Sequence, residues 1–420
     1  MLSFLQPSSM ENDQIYMLGL RPFSQRVHKI MEIIQELDKI PTHTLMLLKE
    51  SLASQEFLKA IYSPGSNYFT YFLTTYSSGG IIYQDKSPQI IEKLLTDSNL
   101  EKFINYFIVA CAKQGITLQY KVDFSPDGSL EIQGFPYKIR LKDFSNIEAC
   151  SIITSKNEIA FLVEDKIIGT IITMDDFNSD FQVTGTQISC IRKPFDNKNM
   201  FHFELSEDII SQCLSENINL LNVRNSELVD NKLKSISFTP NDLLFYESCL
   251  NTIKDVWPDY YLEIKGHIKL IGIMDTDAFG GFTTDILPDA IFISHHPYDF
   301  MWVTENLVHE CAHSRLNQLF LIDPVVLNDH EERFKSPWRE DPRPMKGVFH
   351  GAYAFARVAL WLERLYGVYK DKKILNRLEF VEGQLKEAIE VINTHGKLSP
   401  LGEHVFKEIS SVTKPEVVVS

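Results

Sequence analysis

Apolar positions in the first part of the chain recur at helical spacing. Val27 to Leu37 and Glu101 to Ala112 read as amphipathic helices, and Ser63-Pro-Gly-Ser-Asn and Ser77-Ser-Gly-Gly between them are turn signals. From Ile116 the pattern changes to short β-forming runs. Thr117 to Val122, Leu130 to Gln133, Ile159 to Val163 and Ile167 to Thr173 read as strands, divided by turns such as Ser125-Pro-Asp-Gly. Helical spacing returns from Ile209 through Leu221. Asn241 to Val256 then predicts a helix that stops at Trp257-Pro-Asp, followed by a strand over Tyr261 to Ile273 and a loop over Asp275 to Phe282. Asp289 to Ser294 reads as a short strand. It feeds a helix marked by Thr304, Leu307, Val308, Ala312, Leu316 and Phe320, and a strongly apolar helix runs from Phe349. The expected class is α+β, with a helical N-terminal region over 1–115, a β-rich accessory region over 116–230 and a mostly helical domain over 231–420.

Composition narrows the class. With 420 residues, 44% hydrophobic and 23% charged, the chain reads as an ordinary globular protein of two or three domains. A formal net charge of −15 without a compensating basic block argues against nucleic-acid binding, and leaves any acidic ligand to locally placed arginines. The six cysteines form no C-x-x-C pair and no secretory signal is visible, so free thiols in a reducing cytoplasm are expected. No apolar run is long enough for a bilayer.

The candidate chemistry begins at His309-Glu310-Cys311-Ala312-His313, an H-E-x-x-H string inside a helix. Histidines four residues apart stack on one helix face, so both imidazoles can reach one metal ion, and Glu310 beside the first could handle a proton. Two ligands do not make a site. The candidate third is His350, in the first turn of the apolar helix, with Tyr353 and Arg357 near it; Glu363 further along is a weaker alternative. Three prolines keep Ser336-Pro-Trp-Arg-Glu-Asp-Pro-Arg-Pro extended. Arg339, Arg343 and Lys346 approach His350 from that loop, where a guanidinium could grip a carboxylate by two parallel hydrogen bonds. Pairing of these arginines with Glu340, Asp341 or Asp323 is the structural alternative. His202, His267, His295 and His296 form no ligand-spaced set, and Cys311 reads as a buried helix residue.

The order Leu287-Pro-Asp-Ala-Ile-Phe-Ile-Ser, His309-Glu-Cys-Ala-His, Pro337-Trp-Arg-Glu-Asp-Pro-Arg-Pro and His350-Gly-Ala-Tyr resembles the HExxH-motif 2-oxoglutarate-dependent peptide β-hydroxylases. These are associated with ribosomally synthesised, post-translationally modified peptides. Gly396-Lys-Leu-Ser-Pro-Leu-Gly is similar to that family's C-terminal helix start, and the resemblance spans roughly 235 to 412. It implies a zincin-like, mostly helical metal domain, with Fe(II) held by His309, His313 and His350. It also implies 2-oxoglutarate held by Arg343 or Arg339, with Arg343 favoured, and a precursor peptide as substrate. Glu310 would then sit behind the metal or serve as an alternative ligand.

A zinc peptidase is the rival, with Glu310 activating a metal-bound water and Tyr353 stabilising an oxyanion. The β-rich region could hold a leader peptide by strand addition. The target peptide and the oligomeric state are not readable.

Overall fold

The structure, a computed structural model, describes residues 4–6, 20, 23–29, 31, 42–61, 107–122, 124, 128–132, 137–142, 150–173, 181–192, 234–235, 240–268, 270–275, 280–284, 287–296, 299–320 and 322–413. The expected helix over Ile209 to Leu221 and the turns near Ser63 and Ser77 lie outside these residues. The chain divides into two compact units, one over Leu20–His202 and the other over Met1–Gly19 together with Phe203–Ser420. Both units contain helices and strands, with helices dominating the C-terminal end.

In the first of these units, α1 (Thr42–Ser51) and α2 (Gln55–Ile61) precede further helical residues at 107–114. Eight strands follow among the described residues: β1 (Gln119–Val122), β2 (Ser129–Glu131), β3 (Tyr137–Leu141), β4 (Cys150–Ser155), β5 (Glu158–Val163), β6 (Lys166–Thr173), β7 (Phe181–Thr184) and β8 (Ile188–Arg192). They form an antiparallel sheet in the order β1-β4-β5-β6-β7 and a smaller one in the order β2-β3-β8. Two residues, Glu164 and Asp165, connect β5 to β6 with positive φ, the left-handed geometry that matches the twist of a tight hairpin. Residues 20–115 of the expected helical region and 116–202 of the expected β-rich region fall in this unit, and 1–19 and 203–230 fall in the other.

The second unit contains β9 (Lys234–Ser235), α3 (Pro240–Val256), α4 (Pro258–His267), β10 (Leu270–Asp275), β11 (Gly281–Thr284), β12 (Leu287–Ser294) and α5 (Phe300–Phe320). After these come β13 (Phe334–Ser336), β14 (Arg339–Arg343), α6 (Met345–Tyr369), α7 (Lys372–His395) and α8 (Pro400–Val412). The sheet order is β11-β12-β10-β9, with β10 parallel to β12 and β11 antiparallel to it at the edge. Ala290 to Ser294 are all buried, as a central strand covered on both faces requires. Phe292 is flanked by Gly272 on one neighbour, where a Cβ would lie 2.5 Å from its ring, and stacks on Phe282 of the other at 4.7 Å.

Two sequence expectations fail here. Tyr261 to Ile273 is not one strand: Pro258–His267 is helical and only Leu270–Asp275 is extended. Trp257-Pro258 opens that helix, because proline at the first helical position has no N–H to lose, and the bulky residues Tyr260, Tyr261 and Ile264 fall on its buried side. The loop expected over Asp275 to Phe282 includes the start of β11.

Helices α4, α5 and α6 are joined by a buried charge cluster. Glu263 of α4 is 1% exposed and accepts from both terminal nitrogens of Arg357 on α6, with Oε2 3.2 Å from Nη2. The same Oε2 is 3.5 Å from Nε of Arg315 on α5. Burial alone would raise the Glu263 carboxyl, but Arg357 and then Arg315 overcome this and hold it below the usual carboxylate range. The faces of Tyr260 and Tyr353 lie 5.0 and 5.1 Å from the Arg357 guanidinium. His267 Nδ1–H donates to the Glu263 carbonyl at 2.6 Å, and burial pushes the imidazole down to about 4 although Glu263 pulls the other way.

Removing the shared acceptor leaves two buried guanidiniums uncompensated. Glu263→Gln is expected to cost about 3–5 kcal/mol in urea unfolding, as for other broken buried pairs. His267 makes the acid limb steep. Below pH 6.5 the unfolded chain takes up a proton there that the folded chain refuses until about pH 4. Its contribution to stability is therefore present above that window and lost as pH falls through it, by at most about 1.4 kcal/mol per pH unit. His267→Phe should flatten the dependence of urea midpoint on pH between these limits.

Candidate metal centre on helices α5 and α6

Asp299 caps α5 by accepting from the Trp302 backbone N–H at 3.0 Å, and the helix then runs 21 residues with Val303, Leu307, Cys311, Leu316 and Leu319 buried. His309 and His313 fall on its half-exposed side, with Nε2 atoms 3.0 Å apart and ring centroids at 4.5 Å. Helix α6 brings His350 to the same place: His313 Nδ1 lies 3.3 Å from His350 Nδ1. The three sequence-predicted histidines are thus neighbours.

Burial drives all three imidazoles toward the neutral form. It pushes His313 down to about 4 with help from Arg339, and His309 well below its ordinary range with help from His313, Arg339 and Arg377. His350 is lowered in the same way by burial, His313 and Lys346. Neutral imidazoles with free lone pairs are what a divalent transition metal requires. Among the described residues, no three His, Cys, Asp or Glu side chains are disposed as a finished ligand shell. The reason is visible in the geometry: His313 meets His309 through Nε2 and His350 through Nδ1. Imidazole nitrogen is a donor suited to Fe(II) or Zn(II).

The surroundings depend on two glycines. A Cβ on Gly351 would fall 2.5 Å from the Trp338 ring, so its absence lets the indole lie against α6. Trp338 occupies the two-residue connection from β13 to β14, stacks on Phe355 at 4.8 Å, and Phe355 in turn meets His309 edge-on at 4.5 Å. This ties the tryptophan-arginine loop to the histidine-glycine pair in the second turn of α6, a helix that starts at Met345, one turn before the sequence pattern suggests. At the sheet edge, a Cβ on Gly281 would lie 2.8 Å from Glu310 Cγ. The Glu310 carboxyl therefore reaches β11, where the Thr283 hydroxyl donates to Oε2 at 2.9 Å. Burial raises Glu310 to about 8 against the opposing effects of that bond and of Arg339.

The two arginines separate. Arg343 pairs with Asp341 of its own strand, Nε to Oδ2 at 3.1 Å. Arg339 has no carboxylate partner among the described residues, and its charge bears on His309, Glu310 and His313. Tyr353 turns elsewhere: it is buried, and its hydroxyl donates to the Phe4 carbonyl at 2.7 Å. Glu363 is exposed. Cys311 is fully buried, and burial pushes its thiol far above the ordinary range; the five described cysteines are all free. His295 lies 3.0 Å from the Tyr246 hydroxyl and His296 meets the Trp302 ring at 4.2 Å, away from the three histidines in their contacts; His202 lies outside the described residues.

Sequence reasoning did not find the cleft beside His309. It has a volume of about 690 Å³ and is bounded by Trp302, Glu305, Asn306, His309, Phe355 and Arg377. Arg377 of α7 grips Glu305 of α5 by two bonds of 2.9 and 2.5 Å. Charged residues 72 positions apart give no local signal of such a wall. Gly351→Ala should displace Trp338 and cost about 1–3 kcal/mol, the usual penalty of overpacking, read as a lower thermal midpoint with altered tryptophan fluorescence. No family model matches the chain, and no curated protein matches it significantly, so the functional reading rests on these residues and their geometry.

Proposed function

We propose that this chain is an Fe(II)/2-oxoglutarate-dependent oxygenase that hydroxylates the β-carbon of residues in a ribosomally made precursor peptide. The observation that carries the proposal is the meeting of three neutral histidines from two helices, with the charge of Arg339, which has no carboxylate partner among the described residues, bearing on two of them. His309, His313 and His350 would hold the metal. Three protein ligands leave positions for a chelating oxoacid and for oxygen. Iron, when bound, supplies the redox chemistry that couples oxidative decarboxylation of 2-oxoglutarate to substrate hydroxylation.

The protein's own groups then have distinct tasks. Arg339 binds the distal carboxylate of the oxoacid; Arg343, already paired with Asp341, supports the loop. Glu310 is held by Thr283 and kept from ionising by burial, which suits a residue that braces β11 against α5. The cleft at Trp302 and Phe355 receives a substrate side chain and limits water near the metal. The mixed sheet, its antiparallel edge strand, the H-E-x-x-H helix and a second ligand-bearing helix together support a zincin-like scaffold.

One observation favours a second reading, a zinc peptidase. Strand β11 is the edge of its sheet and touches Glu310, so an extended peptide added there would pass the metal. The two readings part at three measurements. Anaerobic protein given Fe(II) and 2-oxoglutarate should develop a weak visible charge-transfer band needing both components, absent in His309→Ala and His350→Ala. Arg339→Ala should raise the 2-oxoglutarate concentration required by about 10- to 100-fold, the loss of a charge-assisted bond, while Arg343→Ala changes it little. Glu310→Gln should retain turnover; a zinc-loaded chain that cleaves peptides and loses this on Glu310→Gln would establish the peptidase instead.

A further inference from the structure

The segment at Phe4 and Leu5 is bound to the histidine-bearing half of the molecule by interactions that a mere packing contact would not need. Glu408 of α8 accepts from two consecutive backbone N–H groups through one oxygen, Phe4 at 2.9 Å and Leu5 at 2.7 Å. Its other oxygen lies 3.2 Å from His404 Nε2, and the His404 ring meets the Phe4 ring edge-on at 5.6 Å. The Phe4 carbonyl accepts from the Tyr353 hydroxyl at 2.7 Å and from Arg357 Nη2 at 2.8 Å. Leu5 is 2% exposed.

The charge count explains why this carbonyl matters. Arg315 and Arg357 share the single carboxylate of Glu263, so the buried cluster carries an excess of positive charge. The Phe4 carbonyl adds an acceptor to Arg357, whose carboxylate is shared with Arg315, and without it a buried Arg357 N–H would lose its partner. Tyr353 and Arg357 stand three and seven residues after His350, that is, one and two turns further along the same helix. A segment that grips both, and is itself gripped by α8, fixes the rotation and the axial setting of α6 and with them the position of His350.

We infer that residues 4–5 are a positioning clamp for the His350 helix, acting on the metal centre through Tyr353 and Arg357. The inference rests on the metal-centre reading proposed above. Helix setting matters to such a centre because groups that orient ligands typically govern metal affinity by 10- to 100-fold.

The test uses the full chain, Co(II) as a spectroscopic probe, and two independent variants: Glu408→Gln, and deletion of residues 1–6. Amide hydrogen exchange over 349–357 is measured alongside. Both variants should bind Co(II) about 10-fold more weakly with an altered visible spectrum, in the range expected for lost ligand orientation. They should also exchange faster over 349–357, and a synthetic peptide of residues 1–9 should reverse both effects in the deleted protein. If both variants keep the parent's Co(II) affinity, spectrum and exchange, the clamp is wrong. If the parent chain itself binds no Co(II), the metal reading fails instead, and the clamp is judged on exchange alone: faster exchange reversed by the peptide supports it, unchanged exchange overturns it.

Discussion

A single carboxylate, Glu263, has to satisfy two guanidiniums in the buried interior. The rest of the second unit is arranged around that requirement. Its partners sit on the two helices that carry the histidines, Arg315 two residues after His313 and Arg357 seven after His350. An ion pair in the interior is strong only when its geometry is tight and its remaining valences are filled. The cluster therefore recruits the ring faces of Tyr260 and Tyr353 and the carbonyl of Phe4. Because α4, α5 and α6 each contribute a charge, none can rotate without unpairing one. That restriction gives the histidines a defined setting, which apolar packing alone enforces less strictly.

On the outer side of α5 the governing factor is close approach rather than charge. Gly281 admits the Glu310 carboxyl to the edge strand, and Gly351 admits the Trp338 indole to α6. Each replaces a Cβ by part of a neighbouring side chain, and each joins two elements at the histidines. The stack of Trp338 on Phe355, and of Phe355 against His309, carries the β13–β14 hairpin to the same place. Arg339 rides on that hairpin directly after Trp338. The proposed oxoacid-binding arginine is thereby fixed by a ring stack, whereas Arg343 is absorbed by Asp341 two residues back.

Local pattern made α3, α5, β12, the strands β1, β2, β5 and β6 and the body of α6 legible, but not the first turn of α6 or the strands β3, β4, β7 and β8. In each legible element the apolar spacing, the proline and glycine punctuation and the burial agree. Tyr261 to Ile273 misled because a run of bulky residues has no decisive period over so short a length. The proline at 258 was the better signal, since it starts helices as readily as it stops them. The pairing of His309 with His313 was legible for a related reason: a four-residue interval on a helix is already a statement about distance, whereas spacing alone does not bring His350 to them from another helix. Nearness in sequence to His350 favours Arg343 over Arg339. In the structure the charge of Arg339 bears on the histidines, while Arg343 turns to a carboxylate.

What the sequence determined by itself was whatever depends on neighbours a few residues apart: helices, turns, and a pair of imidazoles on one face. The tertiary structure alone decided which charges pair. It set Glu263 between Arg315 and Arg357, turned the Tyr353 hydroxyl to Phe4 across 349 positions, and let the charge of Arg339 bear on His309 and His313. The physical reason is that a buried charge must find its complement wherever folding places it. Spacing along the chain carries no record of that choice.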